Sequence, residues 1–170
     1  MDNNAFDFIP LTSVPLPPVH KQVGQEVDAQ GNQLTIWFSD IIASTPAMSP
    51  FLKQYAELID KGFAAPFISW GEVNKHHVVY ATNTDGRVVG GIVFEYRHIA
   101  KEGWLLLSFT EHEYRGRRIN QVLHQYFEEV VRRRGGQRIA SFVHKDNISR
   151  IKSAERVDFL PQYYRMVKPV

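Results

Sequence analysis

The chain has 170 residues, of which 44% are hydrophobic and 22% are charged, and its formal charge of +2 is too small to indicate general nucleic-acid binding. It contains no cysteine, which excludes disulfides, thiolate zinc sites and a cysteine nucleophile. No apolar run approaches the roughly 20 residues of a membrane span and the polar start is not typical of a signal peptide, so we expect a cytoplasmic protein without a membrane segment.

The first half of the chain predicts an arm followed by strands and one helix. Residues 1–33 carry four prolines and show no sustained periodicity, so we expect an irregular, proline-containing arm, followed by one domain over residues 34–170. Residues 34–38 predict a strand, and helical spacing of apolar residues predicts a helix from residue 49 or 50 to about 62. Residues 77–82 and 87–97 predict two strands that form a hairpin, because Asp85–Gly86 tolerates the backbone of a tight turn.

The second half predicts the centre of the domain. The apolar run at residues 104–110 indicates a strand that is covered on both faces. It is followed by the strongest helical pattern, with His124 on the polar face and an apolar face formed by Ile119, Val122, Leu123, Tyr126, Phe127, Val130 and Val131. Gly135–Gly136 ends this helix. Residues 138–144 predict a strand, Asp146 or Asn147 caps a helix to about residue 157, and residues 162–168 predict a last strand.

The loop at residues 111–120 joins the central strand directly to the long helix. The first amides of a helix lack partners within the helix and lie at the positive end of its dipole, so a phosphate binds there readily. Arg115, Arg117 and Arg118 add positive charge to this end. The loop therefore predicts an anion site, although the charges alone equally allow arginines that face solvent or pair with neighbouring glutamates.

The loop resembles that of the acyl-CoA-dependent N-acyltransferases (GNAT), whose pattern is Arg/Gln-x-x-Gly-x-Gly/Ala. Tyr114-Arg115-Gly116-Arg117 is similar to the front half of this pattern, and the likeness extends over residues 105–159. The resemblance implies an α/β (α+β) fold with a mixed, mostly antiparallel central sheet that is flanked by helices and splayed between its fourth and fifth strands. It also implies transfer of an acetyl group from acetyl-CoA to a primary amine of a small molecule or protein.

The same resemblance implies which residues bind the cofactor. The backbone of Ser108, Phe109 and Thr110 would pair with the pantetheine arm, and Asn147 would contact the cofactor from the following loop. The phosphates would be held by Arg115, Gly116, Arg117, Arg118, Ile119 and Asn120.

Three positions depart from the family pattern. Arg118 and Asn120 replace two glycines, which makes close approach of the pyrophosphate to the backbone sterically harder. Both replacements can still serve an anion, because asparagine tolerates left-handed backbone and arginine can contact phosphate. The tyrosine that often protonates the departing thiolate aligns with Ala154, which cannot act as an acid.

Other residues must then move the protons. We expect Tyr164, with its neighbour Tyr163 as the alternative, to protonate the thiolate. Glu95 is the expected base for the amine, with Glu111 and His112 as alternatives.

Two other functions compete with this assignment. The departures at Arg118, Asn120 and Ala154 favour a GNAT-fold module that has lost catalysis and serves in binding or structure. A weaker alternative has the arginines near residue 117 contact RNA or DNA phosphates. The histidines lack metal-binding spacing, so no metal site is expected, and a homodimer is possible.

Overall fold

The fold is built on one six-stranded sheet, seen in a computed structural model that describes residues 20–63 and 76–160. The strands lie in chain order and are β1 (His20–Val27), β2 (Gln33–Ser39), β3 (His77–Thr82), β4 (Val88–Arg97), β5 (Glu102–Thr110) and β6 (Arg138–Ser141). The helices are α1 (Met48–Asp60), α2 (Ile119–Arg133) and α3 (Ile148–Glu155). All neighbouring strands are antiparallel except β5 and β6, which confirms the predicted mixed, mostly antiparallel sheet flanked by helices.

The two faces of the sheet carry separate cores because successive residues of a strand point to opposite sides. Val79 of β3 packs with Phe127 of α2 in one cluster. Its neighbour Val78 packs with Phe51 of α1 in the other. The sheet therefore lies between α1 and α2. None of the helices in the described ranges is long and apolar enough to cross a membrane.

The predicted hairpin and helix end are confirmed. Gly86 has a φ of +78° in the turn between β3 and β4, a value that glycine adopts without strain. At the end of α2, Gly135 has a φ of +79°, and the amides of Gly135 and Gly136 donate to the carbonyls of Arg132 and Val131. These two bonds satisfy carbonyls that the helix leaves free.

Two predictions about local structure are wrong. The segment His20–Val27 lies in the predicted irregular arm but forms an edge strand that pairs with β2. Its pairing is compatible with its weak pattern because most of its side chains are exposed. His124, expected on the polar face of α2, is only 1% exposed, because Phe159 beyond α3 packs against its ring.

A further difference concerns the last described strand. β6 ends at Ser141, short of the predicted residue 144. The predicted strand at residues 162–168 lies outside the described residues.

The contact between β5 and β6 covers only the first part of β5. The pairs run from Glu102 with Arg138 to Leu105 with Ser141. Beyond Leu105, the described strands pair with β5 on its β4 side alone. Leu106 is the extra residue of a β-bulge, since Val93 pairs with Leu107 and Phe94 with Leu105. Residues 106–110 thus have an edge that no described strand uses, whereas the predicted splay stays a prediction.

Candidate cofactor site

A cleft of about 330 Å³ lies where the loop after β5 leads into α2. Its wall contains three arginines and no carboxylate, a distribution that favours an anion. The lining residues are Thr110, Tyr114, Arg115, Gly116, Arg118, Ile119, Asn120, Gln121, Ser153 and Arg156. The cleft thus joins the predicted loop to α3.

The start of α2 supplies amides that the fold leaves free. The amides of Gln121 and Val122 donate to the carbonyl of Arg118. In the described part of the chain, the amides of residues 117–120 donate to no acceptor, as is usual for the first turn of a helix. With the dipole of a 15-residue helix behind them, these amides form an anion site.

The backbone of the loop turns through two left-handed residues. Gly116 has a φ of +78°, and a side chain there would meet no neighbour, so the need for glycine is conformational. Arg118, the residue that precedes α2, has a φ of 62° and a ψ of 12°. The arginine that replaces a family glycine therefore adopts a conformation that costs a residue with a Cβ about 1 kcal/mol or more.

The turn between β1 and β2 holds the loop from one side. The amide of Ala29 donates to the carbonyl of Arg117 at 3.0 Å. The Arg117 guanidinium lies 3.6 Å from the buried carboxylate of Asp28 and stacks over the ring of Tyr114, 4.6 Å from its centroid. Arg117, predicted to bind phosphate, therefore directs its guanidinium to Asp28 and is not among the residues that line the cleft.

The turn between β3 and β4 holds the loop from the other side. The side-chain amide of Asn83 donates to the hydroxyl of Tyr114 at 3.1 Å. Arg87 forms an ion pair with Glu113. Glu111 lies 3.8 Å from the same guanidinium, so it is part of this clamp, and His112 is exposed in the adjoining turn.

Other predicted cofactor residues line the cleft or the strand that leads to it. Arg115 donates through Nε to the carbonyl of Thr110 at 3.3 Å and through Nη2 to Gln54 at 3.4 Å. Asn120 donates to the hydroxyl of Ser153 at 3.3 Å and so links α2 to α3. Ser108 and Thr110 are half-buried on β5.

Three further predicted residues lie away from the cleft wall. Phe109 is 3% exposed and packs in the core beneath α1, so only its backbone could face a ligand. Asn147 caps α3, where its side-chain oxygen accepts from the amide of Arg150 at 3.2 Å. Glu95 pairs in register with Trp104, about 20 Å along β5 from Thr110 at the usual rise per residue, and bonds to Nε of Arg97 at 2.7 Å.

The expected acids, Tyr163 and Tyr164, lie outside the described residues. Ala154, at the position of the family tyrosine, is 7% exposed on α3. Within residues 20–63 and 76–160, no three histidine, aspartate or glutamate side chains are grouped as metal ligands.

Sequence reasoning missed the contribution of α3 to the cleft. Ser153 and Arg156 line it, and neither belongs to the loop pattern. Arg150 and His124 lie close to each other between the two helices, since the charge of Arg150 and, more strongly, burial lower the pKa of His124 to about 4. The spacing of Arg150, Ser153 and Arg156 along α3 was the available signal.

Solved acetyltransferases share this architecture. A ribosomal-protein-alanine N-acetyltransferase from Brucella melitensis biovar Abortus 2308 superposes with a TM-score of 0.61 at 16% identity, over 81% of this chain and 99% of that chain. An aminoglycoside N-acetyltransferase in complex with CoA gives 0.58 at 14% identity, over 79% of this chain and 98% of that chain. A soil-metagenome aminoglycoside acetyltransferase in complex with sisomicin gives 0.56 at 12% identity, over 79% and 97%. At these identities the likeness shows the fold.

Sequence comparison gives the family. No curated protein matches the chain. The profile described as Acetyltransferase (GNAT) family matches residues 43–159, which include α1, the sheet from β3 to β6, the cleft and α3. This match covers more than half of the 170 residues. The chain therefore belongs to the Acetyltransferase (GNAT) family.

Proposed function

We propose that this protein transfers an acetyl group from acetyl-CoA to a primary amine of a small molecule or protein. The observation that carries the proposal is the set of free amides at residues 118–120, which line, together with Arg115, a cleft without carboxylates. A diphosphate needs several donors and positive charge at close range. The cleft offers both.

The strand edge next to the cleft suits the remainder of the cofactor. Residues 106–110 of β5 have main-chain groups that no described strand pairs on the β6 side. Such an edge offers hydrogen bonds to an extended amide-containing chain, as in strand addition. The pantetheine arm of acetyl-CoA, which contains two amides, would bind here beside Ser108, Phe109 and Thr110, with Asn147 in the adjoining loop.

Proton transfer would fall to Glu95 and Tyr164. The amine must be neutral to attack the thioester, and the side chain of Glu95 is 41% exposed and so open to an acceptor. Its carboxylate accepts a hydrogen bond from Nε of Arg97 at 2.7 Å. We expect Glu95→Gln and Tyr164→Phe each to lower kcat by about 100-fold, the usual size of general acid–base contributions, with less effect on cofactor affinity.

The acceptor is a matter for experiment. Two of the structures above are aminoglycoside acetyltransferases and one acts on a ribosomal protein, so the shared fold leaves the choice between small molecules and proteins open. The homodimer and the cytoplasmic location also stay predictions.

Titration calorimetry with acetyl-CoA, followed by a free-thiol assay over a panel of amines, tests the proposal. Arg115→Met should lower the affinity for acetyl-CoA by about tenfold to a hundredfold, because charge-assisted hydrogen bonds contribute about 1.5–3 kcal/mol. The matched control is Arg132→Met, which removes a charge from the exposed far end of α2. Absence of heat at millimolar acetyl-CoA, or equal effects of both variants, would contradict the placement of the phosphates.

One observation favours a second function, a binding or structural module without catalysis. Ala154 is buried where the family often has its tyrosine, so α3 brings no phenol to the site. This alternative predicts that acetyl-CoA binds and that no amine in the panel releases thiol. A measurable turnover that Tyr164→Phe lowers would exclude it.

A further inference from the structure

Five buried side-chain atoms between α2 and α3 have no hydrogen-bond partner within the described residues. They are Oδ1 of Asn120, both ring nitrogens of His124, and both terminal guanidinium nitrogens of Arg150. Asn120 and His124 are four residues apart and so share one face of α2. That face meets α3 through the bond from Asn120 to Ser153, three residues after Arg150.

A buried guanidinium without a counter-ion is costly to the fold. Its desolvation is repaid only when an anion and hydrogen bonds satisfy it. No described carboxylate pairs with Arg150, and the side chain of His124, whose pKa is lowered by the charge of Arg150, is another base. Residues 20–63 and 76–160 therefore hold a cation in this place without supplying the negative group that would stabilise it.

The unsatisfied nitrogens of Arg150 and His124 match one kind of ligand, a phosphoryl group. The terminal nitrogens of an arginine form a fixed fork that fits two oxygens of a phosphoryl group. A neutral imidazole adds one donor and one acceptor beside them. Asn120 and Ser153, which join the helices here, also line the cleft at the start of α2, so the buried cluster adjoins the proposed cofactor site.

We propose that Arg150, with His124, forms a phosphoryl-binding subsite between α2 and α3, beside the bond from Asn120 to Ser153. It would offset the loss of the two family glycines at Arg118 and Asn120, because a side-chain fork from α3 replaces some of the close backbone contact. Assigning the phosphoryl group to CoA rests on the proposed function, and the diphosphate and the 3′-phosphate are its two possible sources.

Calorimetry with three ligands tests the subsite: CoA, 3′-dephospho-CoA and inorganic diphosphate. Arg150→Met keeps the length of the side chain but removes the fork and the charge. Lys152→Met is the matched control, since it removes the same charge from the exposed side of α3. We expect Arg150→Met to lower the affinity for CoA by about tenfold or more and Lys152→Met to lower it by less than about twofold.

The ligands distinguish the sources. Equal weakening of CoA and 3′-dephospho-CoA by Arg150→Met identifies the diphosphate, and weakening of CoA alone identifies the 3′-phosphate; either result supports the subsite. Affinities of a folded Arg150→Met protein within twofold of wild type for all three ligands would overturn it, even with CoA bound normally. If CoA fails to bind while inorganic diphosphate binds through Arg150, the subsite stands and the proposed function fails.

Stability of the ligand-free protein gives a second readout. Because the terminal nitrogens of Arg150 have no partner among the described residues, Arg150→Met should melt no lower than wild type, whereas removing a structural ion pair would lower the melting temperature. Should Arg150→Met fail to fold, Arg150→Lys retains the charge without the fork and should bind CoA with intermediate affinity. A lowered melting temperature together with unchanged affinity in Arg150→Lys would also overturn the proposal.

Discussion

Replacing His124 by leucine should remove part of the pH dependence of folding. Burial, and to a lesser extent the charge of Arg150, lowers the pKa of His124 to about 4 from its ordinary value of 6.5. The ring packs against Phe127 and Phe159, and neither of its nitrogens has a partner in the described residues. The folded protein therefore keeps this imidazole neutral down to mildly acidic pH.

The size and sign of the effect follow from proton linkage. Below pH 6.5 the unfolded chain binds a proton on His124 that the folded protein does not bind, so stability is full above that pH and falls as pH drops towards 4. Between about pH 7.5 and 5.5 the loss is about 1.4 kcal/mol for one such histidine. Burial, followed by the charge of Arg134, also lowers the pKa of His77 to about 4, so wild type should lose about twice that amount.

Urea unfolding at the two pH values measures these losses. His124→Leu should halve the wild-type loss, and at the higher pH it should be about 1 kcal/mol more stable, because it removes buried nitrogens without partners. His98→Gln, at an exposed position, is the control and should keep the wild-type difference. Equal differences in wild type and His124→Leu would refute the assignment of a neutral, buried imidazole.

Three further substitutions test local features by urea unfolding. Asp28→Asn should lower the free energy of unfolding by about 2 kcal/mol, because the buried carboxylate accepts from the amides of Gln30 and Asn32 at 2.8 and 2.9 Å. A loss below about 0.5 kcal/mol, the size expected for a substitution on the surface, would contradict this. Arg118→Gly should be about 1 kcal/mol more stable than Arg118→Ala, since alanine keeps a Cβ at a φ of 62°, and equal stabilities would argue against the left-handed turn. Asn147→Ala should cost about 1 kcal/mol through loss of the helix cap, whereas Asn147→Asp should retain most of it.

The sequence was sufficient where local rules decide the structure. Asp85–Gly86 specified a tight hairpin, Gly135–Gly136 specified the end of α2, and the pair Asp146 and Asn147, of which Asn147 is the cap, specified the start of α3. The periodicity of α2 identified Leu123 and Phe127 as core residues, because a single apolar face must cover the sheet.

The errors come from contacts between distant segments. β1 is a strand because β2 pairs with it and because Tyr126 of α2 lies where Gly24 has no side chain, neither of which is visible in a local pattern. His124 was assigned to solvent because periodicity places one buried face on a helix, whereas Phe159 beyond α3 covers a second face of α2.

The candidate site likewise contains features that local sequence predicts and features that tertiary contacts decide. The helix start and its free amides follow from local sequence, but the partner of each arginine does not. Arg117 pairs with Asp28 from a turn far away in the chain, and α3, which carries Arg150, meets the start of α2 through the bond from Asn120 to Ser153. Side-chain direction depends on these tertiary contacts, so composition alone could not separate a ligand-facing arginine from a structural one.

The contacts between the β1–β2 turn and the loop, which are made by Asp28 and Ala29 with Arg117, have a practical consequence for protein engineering. A shortened chain beginning at residue 34, as the family likeness would suggest, keeps every residue that lines the cleft yet loses both Asp28 and Ala29. Arg117 would then lose its carboxylate partner and be free to move into the entrance of the cleft. Shortened chains for expression should therefore begin no later than His20, so that they retain β1 and the turn that contacts the loop.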